Sequence, residues 1–179
     1  MVDVINTLKS NARILHRLAI SGDREARARV TRRLGQAILP DGEFALKRRH
    51  CLTVVARELG FNGWGHAAAV LEGNKSDDFG TLLSPPRCSA HANIWCRSYD
   101  EAKSVHAVQG GYLLAYKNQY LVVDEDYIRT LGLDPDDENW VAMGKDWARP
   151  KDITARGRLY ATLACQVIPV MEVRHDESA

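Results

Sequence analysis

The chain has 179 residues, of which 45% are apolar and 26% are charged, and its formal net charge is +1. This length and composition are those of an ordinary globular protein with one good core, or with two small units that share an interface. No apolar run approaches the roughly 20 residues that span a bilayer, which excludes a membrane-spanning protein.

The N-terminal residues lack the apolar core and the small-residue cleavage site of a signal peptide, so a cytoplasmic protein is expected. The four cysteines are widely spaced, and no CxxC pair is present. This spacing argues against a thioredoxin-like redox site and an ordinary zinc knuckle, and it predicts reduced, packed thiols. They are Cys51, Cys88, Cys96 and Cys165.

The small net charge hides an asymmetry between two parts of the chain. Residues 1–50 carry 11 Lys and Arg against 5 Asp and Glu, whereas residues 51–179 carry 13 basic against 18 acidic residues. Opposite signs favour docking of the two parts on each other, with a basic face for an acidic partner as the alternative.

The N-terminal region predicts four helices. Apolar residues three and four apart indicate a first helix over residues 3–19 and a second, capped by Asp23, over residues 24–39. A third helix over residues 43–59 is closed by Gly60, and a fourth covers residues 64–71. The inward positions of the first two are Ile5, Leu8, Ala12, Leu15, Leu18 or Ala19, Ala26, Val30, Leu34 and Ile38.

The segment GNKSDD, residues 73–78, has the composition of a linker. It predicts a helical unit of residues 1–74 and an α+β unit of residues 79–170. Within the second unit we expect a short strand over residues 79–83 and a first clear strand over residues 92–97. Ser98 and Glu101 have the spacing of a capping box, which predicts a helix through Val108.

Aromatic and β-branched residues indicate two further strands, over residues 112–116 and 120–123, joined by a tight turn. The remainder predicts a helix over residues 125–131, a helix capped by Asp134 with Pro135 at its first position, and a final helix over residues 151–166. Their expected inward residues include Trp140, Val141, Met143, Ile153, Leu159 and Leu163. The fold class is therefore α+β: four helices packed on a small antiparallel sheet, in chain order β-α-β-β, with C-terminal helices.

Residues 46–73 contain the pattern A-x-x-L-G-F-x-x-W, formed by Ala56, Leu59, Gly60, Phe61 and Trp64. This stretch resembles the small helical module near the N-terminus of some bacterial glyoxalase-related proteins. The resemblance implies an accessory helical module and transfers no catalytic residue.

The early helices carry many basic residues that could neutralise phosphates, which makes sequence-independent nucleic-acid binding an alternative function. The segment after Gly60 also has the spacing of a helix-turn-helix, but it offers only Asn62 and His66 to base edges. A solvated face with Glu25, Asp41 and Glu43 as local partners is the simpler interpretation. The basic residues are Arg24, Arg27, Arg29, Arg32, Arg33, Lys47, Arg48 and Arg49.

Two metal-site hypotheses centre on His91. Cys88, His91 and Cys96 have the side chains that bind zinc, although an extended strand would place His91 and Cys96 about 16 Å apart. The strand that begins near His91 is also similar to the opening of the glyoxalase (vicinal oxygen chelate) module. That resemblance implies His91 as a ligand of a divalent metal in an enzyme whose ligand set a homodimer would complete.

The alternate residues His91, Asn93 and Trp95 are expected to share one face of a strand. Together with Tyr116, and bordered by Trp147 and Arg149, they form our candidate ligand-binding surface. The planar guanidinium of Arg149 is suited to a carboxylate or phosphate. We therefore predict a non-catalytic binding or regulatory module, without a cofactor, for a small molecule or protein partner; a metal-dependent enzyme is the alternative.

Overall fold

The computed structural model describes residues 4–35, 45–74 and 77–168, which form eight α-helices and a small antiparallel sheet, so the predicted α+β class is confirmed. A 3-10 turn at Pro86–Cys88 precedes the first strand. The helices are α1 (Val4–Ile20), α2 (Arg24–Leu34), α3 (Arg48–Glu58), α4 (Trp64–Leu71), α5 (Tyr99–Gln109), α6 (Glu125–Leu131), α7 (Glu138–Met143) and α8 (Ile153–Val167). The strands are β1 (Ile94–Cys96), β2 (Tyr112–Tyr116) and β3 (Gln119–Val123).

The N-terminal helices follow the apolar pattern of the sequence. Asp23 caps α2, since its carboxylate accepts a hydrogen bond from the Ala26 N–H at 2.8 Å. The third helix begins at Arg48 instead of residue 43, and residues 36–44, with Ile38, lie outside the described part of the chain. The predicted inward residues that are buried are Ile5, Leu8, Ala12, Leu15, Ala19, Ala26 and Val30.

Along the chain, β1 is followed by helix α5 and then by β2 and β3. In the sheet, however, the strand order is β1-β3-β2. Leu121 of β3 lies opposite Trp95 of β1 and Leu114 of β2. Because side chains alternate along a strand, Tyr116 lies on the same face as these three. That face turns toward the main core, whereas Cys96 and Leu113 on the other face pack with Tyr99 and Ala102 of α5.

The loop after α7 runs along the outer edge of β2. The Leu113 N–H donates to the Lys145 carbonyl at 2.9 Å, and the Trp147 N–H donates to the Leu113 carbonyl at 2.8 Å. These bonds form a parallel bridge between Leu113 and Asp146. These bonds fix the positions of Trp147 and Arg149. The outer edge of β1, in contrast, pairs with no other strand among the described residues.

Residues 79–83 do not form the predicted strand. Phe79 and Gly80 are joined to the β2–β3 turn by two hydrogen bonds with Lys117, of 3.0 and 2.8 Å. Gly80 has a φ of +73°, and a Cβ atom there would lie 2.9 Å from the Gly60 carbonyl oxygen. The chain turns sharply at this contact, which a regular strand cannot do.

Three expectations for the C-terminal region are wrong. Helix α7 begins at Glu138 with Asp137 as its N-cap, because Asp134 and Pro135 form a turn in which the Pro135 carbonyl accepts the Tyr112 hydroxyl at 2.9 Å. Val141 is 75% exposed. Ile153, the first residue of α8, is 50% exposed.

One continuous buried cluster contains residues of the N-terminal helices, the sheet and the C-terminal helices. An aromatic series crosses its C-terminal part, with ring centroids 4.7, 5.4 and 4.8 Å apart between successive members. The division into units at residues 1–74 and 79–170 stays a prediction. No described helix has the length and apolar character required to cross a membrane. The aromatic series is Tyr112, Trp140, Trp147 and Tyr160.

Candidate functional site

His91 lies ahead of β1 and not in it, and its partners belong to α6. Its Nε2 lies 2.7 Å from the Thr130 hydroxyl oxygen, and its ring packs edge-on against Tyr127 at a centroid distance of 5.9 Å. Asn93 also precedes the strand, and its side-chain amide donates to the His91 carbonyl at 3.3 Å. His91 therefore anchors the entry to β1, and it does not share contacts with Trp95.

Cys88 and Cys96 belong to different buried clusters. Cys88 lies in the main core with Tyr127, whereas Cys96 lies on the opposite side of the sheet with α5. No group of three or more His, Cys, Asp and Glu within residues 4–35, 45–74 and 77–168 is placed to hold a metal ion. The structure thus does not assemble Cys88, His91 and Cys96 into a zinc site.

The four cysteines are expected to differ in the reactivity of their thiols. Burial raises the pKa of the Cys51 thiol to about 12, and it raises the pKa of Cys88 and Cys96 as well. Because the thiolate is the reactive form, we expect Cys165, which is exposed, to react alone and fast with Ellman's reagent at pH 8. The measurement is the absorbance time course of the native protein. Two or more fast thiols, or a fast phase that survives in Cys165→Ala, would contradict this expectation.

Trp95 and Tyr116 form an aromatic pair on the core-side face of the sheet. Their rings are edge-to-face, with centroids 5.6 Å apart. The Trp95 side chain is nevertheless 45% exposed, because β1 is a short edge strand. The structure describes all four tryptophans; Trp140 and Trp147 are fully buried and Trp64 is half-buried. Trp95 is therefore the indole that meets solvent most.

A groove opens beside this pair. It has a volume of about 460 Å³, and Tyr116 forms part of its wall. Its other apolar walls come from the end of α3 and from the stiff Pro85-Pro86 segment. Glu58 and Arg87 are the charged residues of its lining within the described chain. The apolar lining residues are Leu59, Leu82, Pro85, Pro86, Tyr116 and Val167.

Arg149 lies away from Trp95, on the other side of the sheet. Its guanidinium carbon lies 3.8 Å from the centroid of the Tyr99 ring, a cation–π contact. The Tyr99 hydroxyl donates to the Asp146 carboxylate at 2.5 Å, and the same carboxylate accepts the Arg149 backbone N–H at 2.9 Å. Burial, reinforced by Asp146, raises the pKa of the Tyr99 hydroxyl, which keeps it a hydrogen-bond donor.

Trp147 is fully buried and does not border the predicted surface. Its indole packs between Trp140 and Tyr160 in the core. Of the six residues proposed from the sequence, the structure brings Trp95 and Tyr116 together. It places His91 with Asn93 at the strand entry, Arg149 at a separate cleft and Trp147 in the core.

Sequence reasoning missed Arg156, a buried cation of α8 that is 4% exposed. A signal was available, because Arg156 precedes Leu159, Tyr160 and Leu163 by three, four and seven residues and so lies on the apolar face of its helix. A charged residue at such a position is rarely buried without a specific role.

The basic residues of the early helices do not all form an open surface. Arg29 is buried and donates to both carboxylate oxygens of Glu58, at 2.9 and 2.6 Å. The Arg57 guanidinium donates to the Arg33 carbonyl at 2.7 Å. Arg24, Arg32, Arg33, Lys47, Arg48 and Arg49 remain exposed, so nucleic-acid binding stays a prediction.

Comparison of the chain with protein-family models, with curated proteins and with solved structures finds no match.

Proposed function

We propose that the protein is a non-catalytic binding module, and that it holds a small, largely apolar molecule in the groove beside Trp95 and Tyr116. One observation carries this proposal: a 45% exposed tryptophan is fixed edge-to-face on a tyrosine that lines a groove of about 460 Å³. Small-molecule sites are commonly concave, apolar and of this size.

The groove supports this proposal by its shape and composition. The Pro85-Pro86 segment fixes one wall because the proline rings restrict the backbone. Exposed aromatic rings contribute large contact areas at low cost in conformational entropy, and they favour flat apolar partners. The polar groups at the rim, among them Arg87 and Ser84, would orient the ligand.

The neutral fluorescent probe N-phenyl-1-naphthylamine tests the proposal. We expect it to bind the full chain saturably, with an increase in its fluorescence. Tyr116→Ala removes an aromatic wall of the groove, and Trp95→Ala removes the ring that packs edge-on against Tyr116. We therefore expect each to weaken binding by about fivefold or more, as loss of roughly 1 kcal/mol implies.

Val108→Ala is the matched control. Val108 is 87% exposed on α5 and lies outside the groove, so this variant removes an exposed apolar side chain without touching the site. It should bind the probe as the unmodified chain does. Equal affinity in Trp95→Ala, Tyr116→Ala and the unmodified chain, or no saturable binding at all, would refute the proposed site.

A further inference from the structure

Arg156 is a buried guanidinium that has no carboxylate partner among the described residues. Its Nη1 donates to the Trp147 carbonyl at 3.1 Å and its Nη2 donates to the Val70 carbonyl at 3.3 Å. Its Nε has no hydrogen-bond partner in the part of the chain that the structure describes. None of the ion pairs among the described residues includes Arg156.

The surroundings of Arg156 compensate its charge only in part. Val70 lies at the C-terminal end of α4, so its carbonyl belongs to the negative end of a helix dipole. The neighbouring Trp147 Nε1 and Tyr160 hydroxyl are also buried without partners among the described residues. A buried cation is costly unless an anion pairs with it, so this end of α8 keeps a positive potential.

Arg156 lies in the wall of a cleft that Arg149 also lines. The cleft has a volume of about 350 Å³ and shares no lining residue with the Tyr116 groove. Gly73 closes the backbone over Arg156: a Cβ atom there would lie 3.2 Å from Nη2 and 2.2 Å from Ile153 Cδ1. Asp77, which is exposed, is the acidic residue among the described lining residues of this cleft.

Arg149 offers hydrogen-bond donors to the same cleft. Its guanidinium is held over the Tyr99 ring, and the Asp146 carboxylate is occupied by the Tyr99 hydroxyl and a backbone N–H. A guanidinium that stacks on a ring keeps its N–H groups at the edge of its plane, where they can bind two oxygen atoms of one anion.

We infer that this cleft binds a small organic anion whose carboxylate or phosphate group contacts Arg149 and whose flat apolar body lies against Phe79 and Tyr120. The positive potential of Arg156 attracts the anionic group from the cleft wall, and low polarity around the guanidinium strengthens the attraction. The rings of Phe79 and Tyr120 are edge-to-face, 6.2 Å between centroids, beside Ile153 and Pro150. This cleft and the Tyr116 groove are separate sites, because they share no lining residue.

Calorimetric titration of the full chain with phenyl phosphate and benzoate at low ionic strength tests the inference. We expect at least one of them to bind, more tightly than inorganic phosphate or acetate, and affinity should fall as salt is added. Benzyl alcohol, which keeps the ring without the charge, should not bind. Arg149→Ala should weaken binding by about tenfold or more, because a charge-assisted bidentate contact is lost.

Arg13→Ala is the matched control, since it removes an exposed arginine on α1 and changes the net charge equally. It should bind like the unmodified chain. The inference is overturned if neither aromatic anion binds, if Arg149→Ala and Arg13→Ala bind alike, or if the simple anions bind as tightly as the aromatic ones. Because the neutral probe of the Tyr116 groove is measured separately, failure here leaves that proposal intact.

Discussion

Trp147→Ala is expected to lower the free energy of unfolding by about 3–5 kcal/mol. The Trp147 side chain is fully buried, with the Trp140 and Tyr160 rings at centroid distances of 5.4 and 4.8 Å. Removing the indole leaves a cavity between them, and the rigid aromatic neighbours can fill it only in part. The measurement is urea unfolding followed by far-UV circular dichroism.

Trp95→Ala is the comparison that makes this expectation specific. Trp95 is 45% exposed, so its loss should cost about 2 kcal/mol or less. If both variants were equally stable, Trp147 would not be a core residue. The sequence-based placement of Trp147 at a ligand surface would then regain support.

Glu58→Ala is expected to destabilise the protein by about 3–5 kcal/mol. Glu58 receives two hydrogen bonds from Arg29, and the two side chains are 12% and 5% exposed. The substitution leaves a buried guanidinium without this carboxylate, which is more costly than losing both charges together. Thermal unfolding measures the effect, and each kcal/mol should lower the Tm by roughly 2–4 °C for a chain of this size.

Glu125→Ala serves as the control for Glu58→Ala. It removes a carboxylate that also binds an arginine, Arg129, at 3.0 Å, but these side chains are 55% and 51% exposed. Exposed ion pairs contribute little, so no measurable change in Tm is expected. Equal stability of Glu58→Ala and Glu125→Ala would show that the Arg29–Glu58 pair does not stabilise the helical region.

Local sequence signals predicted the elements whose ends are fixed by their own residues. Helix α4 spans Trp64–Leu71 and α6 spans Glu125–Leu131, as expected, since Gly132 in a left-handed conformation closes α6. Ser98 caps α5 by accepting the Glu101 N–H at 3.2 Å. The Glu101 carboxylate, however, accepts the N–H of Arg97 instead of that of Ser98.

Features that depend on distant contacts were not predictable in this way. The turn at residues 79–83 is set by hydrogen bonds to Lys117, and the start of α7 is set by bonds from Tyr112 and Trp140 to the preceding turn. The separation of His91 from Trp95 has the same origin, because His91 is held by α6. Strand alternation could relate neighbouring residues, but it carried no information about these partners.

The candidate sites also differ in how far the sequence could predict them. The pairing of Trp95 with Tyr116 follows from aromatic residues on one face of adjoining strands, so the sequence could indicate it. The cleft of Arg149 and Arg156 joins the end of α4, the loop after α7 and α8, which are far apart in the chain. The apolar environment of Arg156 in α8 was the one local sign of that cleft.

A titration with N-phenyl-1-naphthylamine, followed by the indole N–H signals in a ¹H–¹⁵N spectrum, tests the proposed function most directly. Four signals are expected, one for each tryptophan. We predict that the Trp95 signal shifts saturably, while those of the buried Trp140 and Trp147 stay in place. A Trp95 signal that does not move while the probe binds would show that the probe does not occupy the groove beside Trp95 and Tyr116.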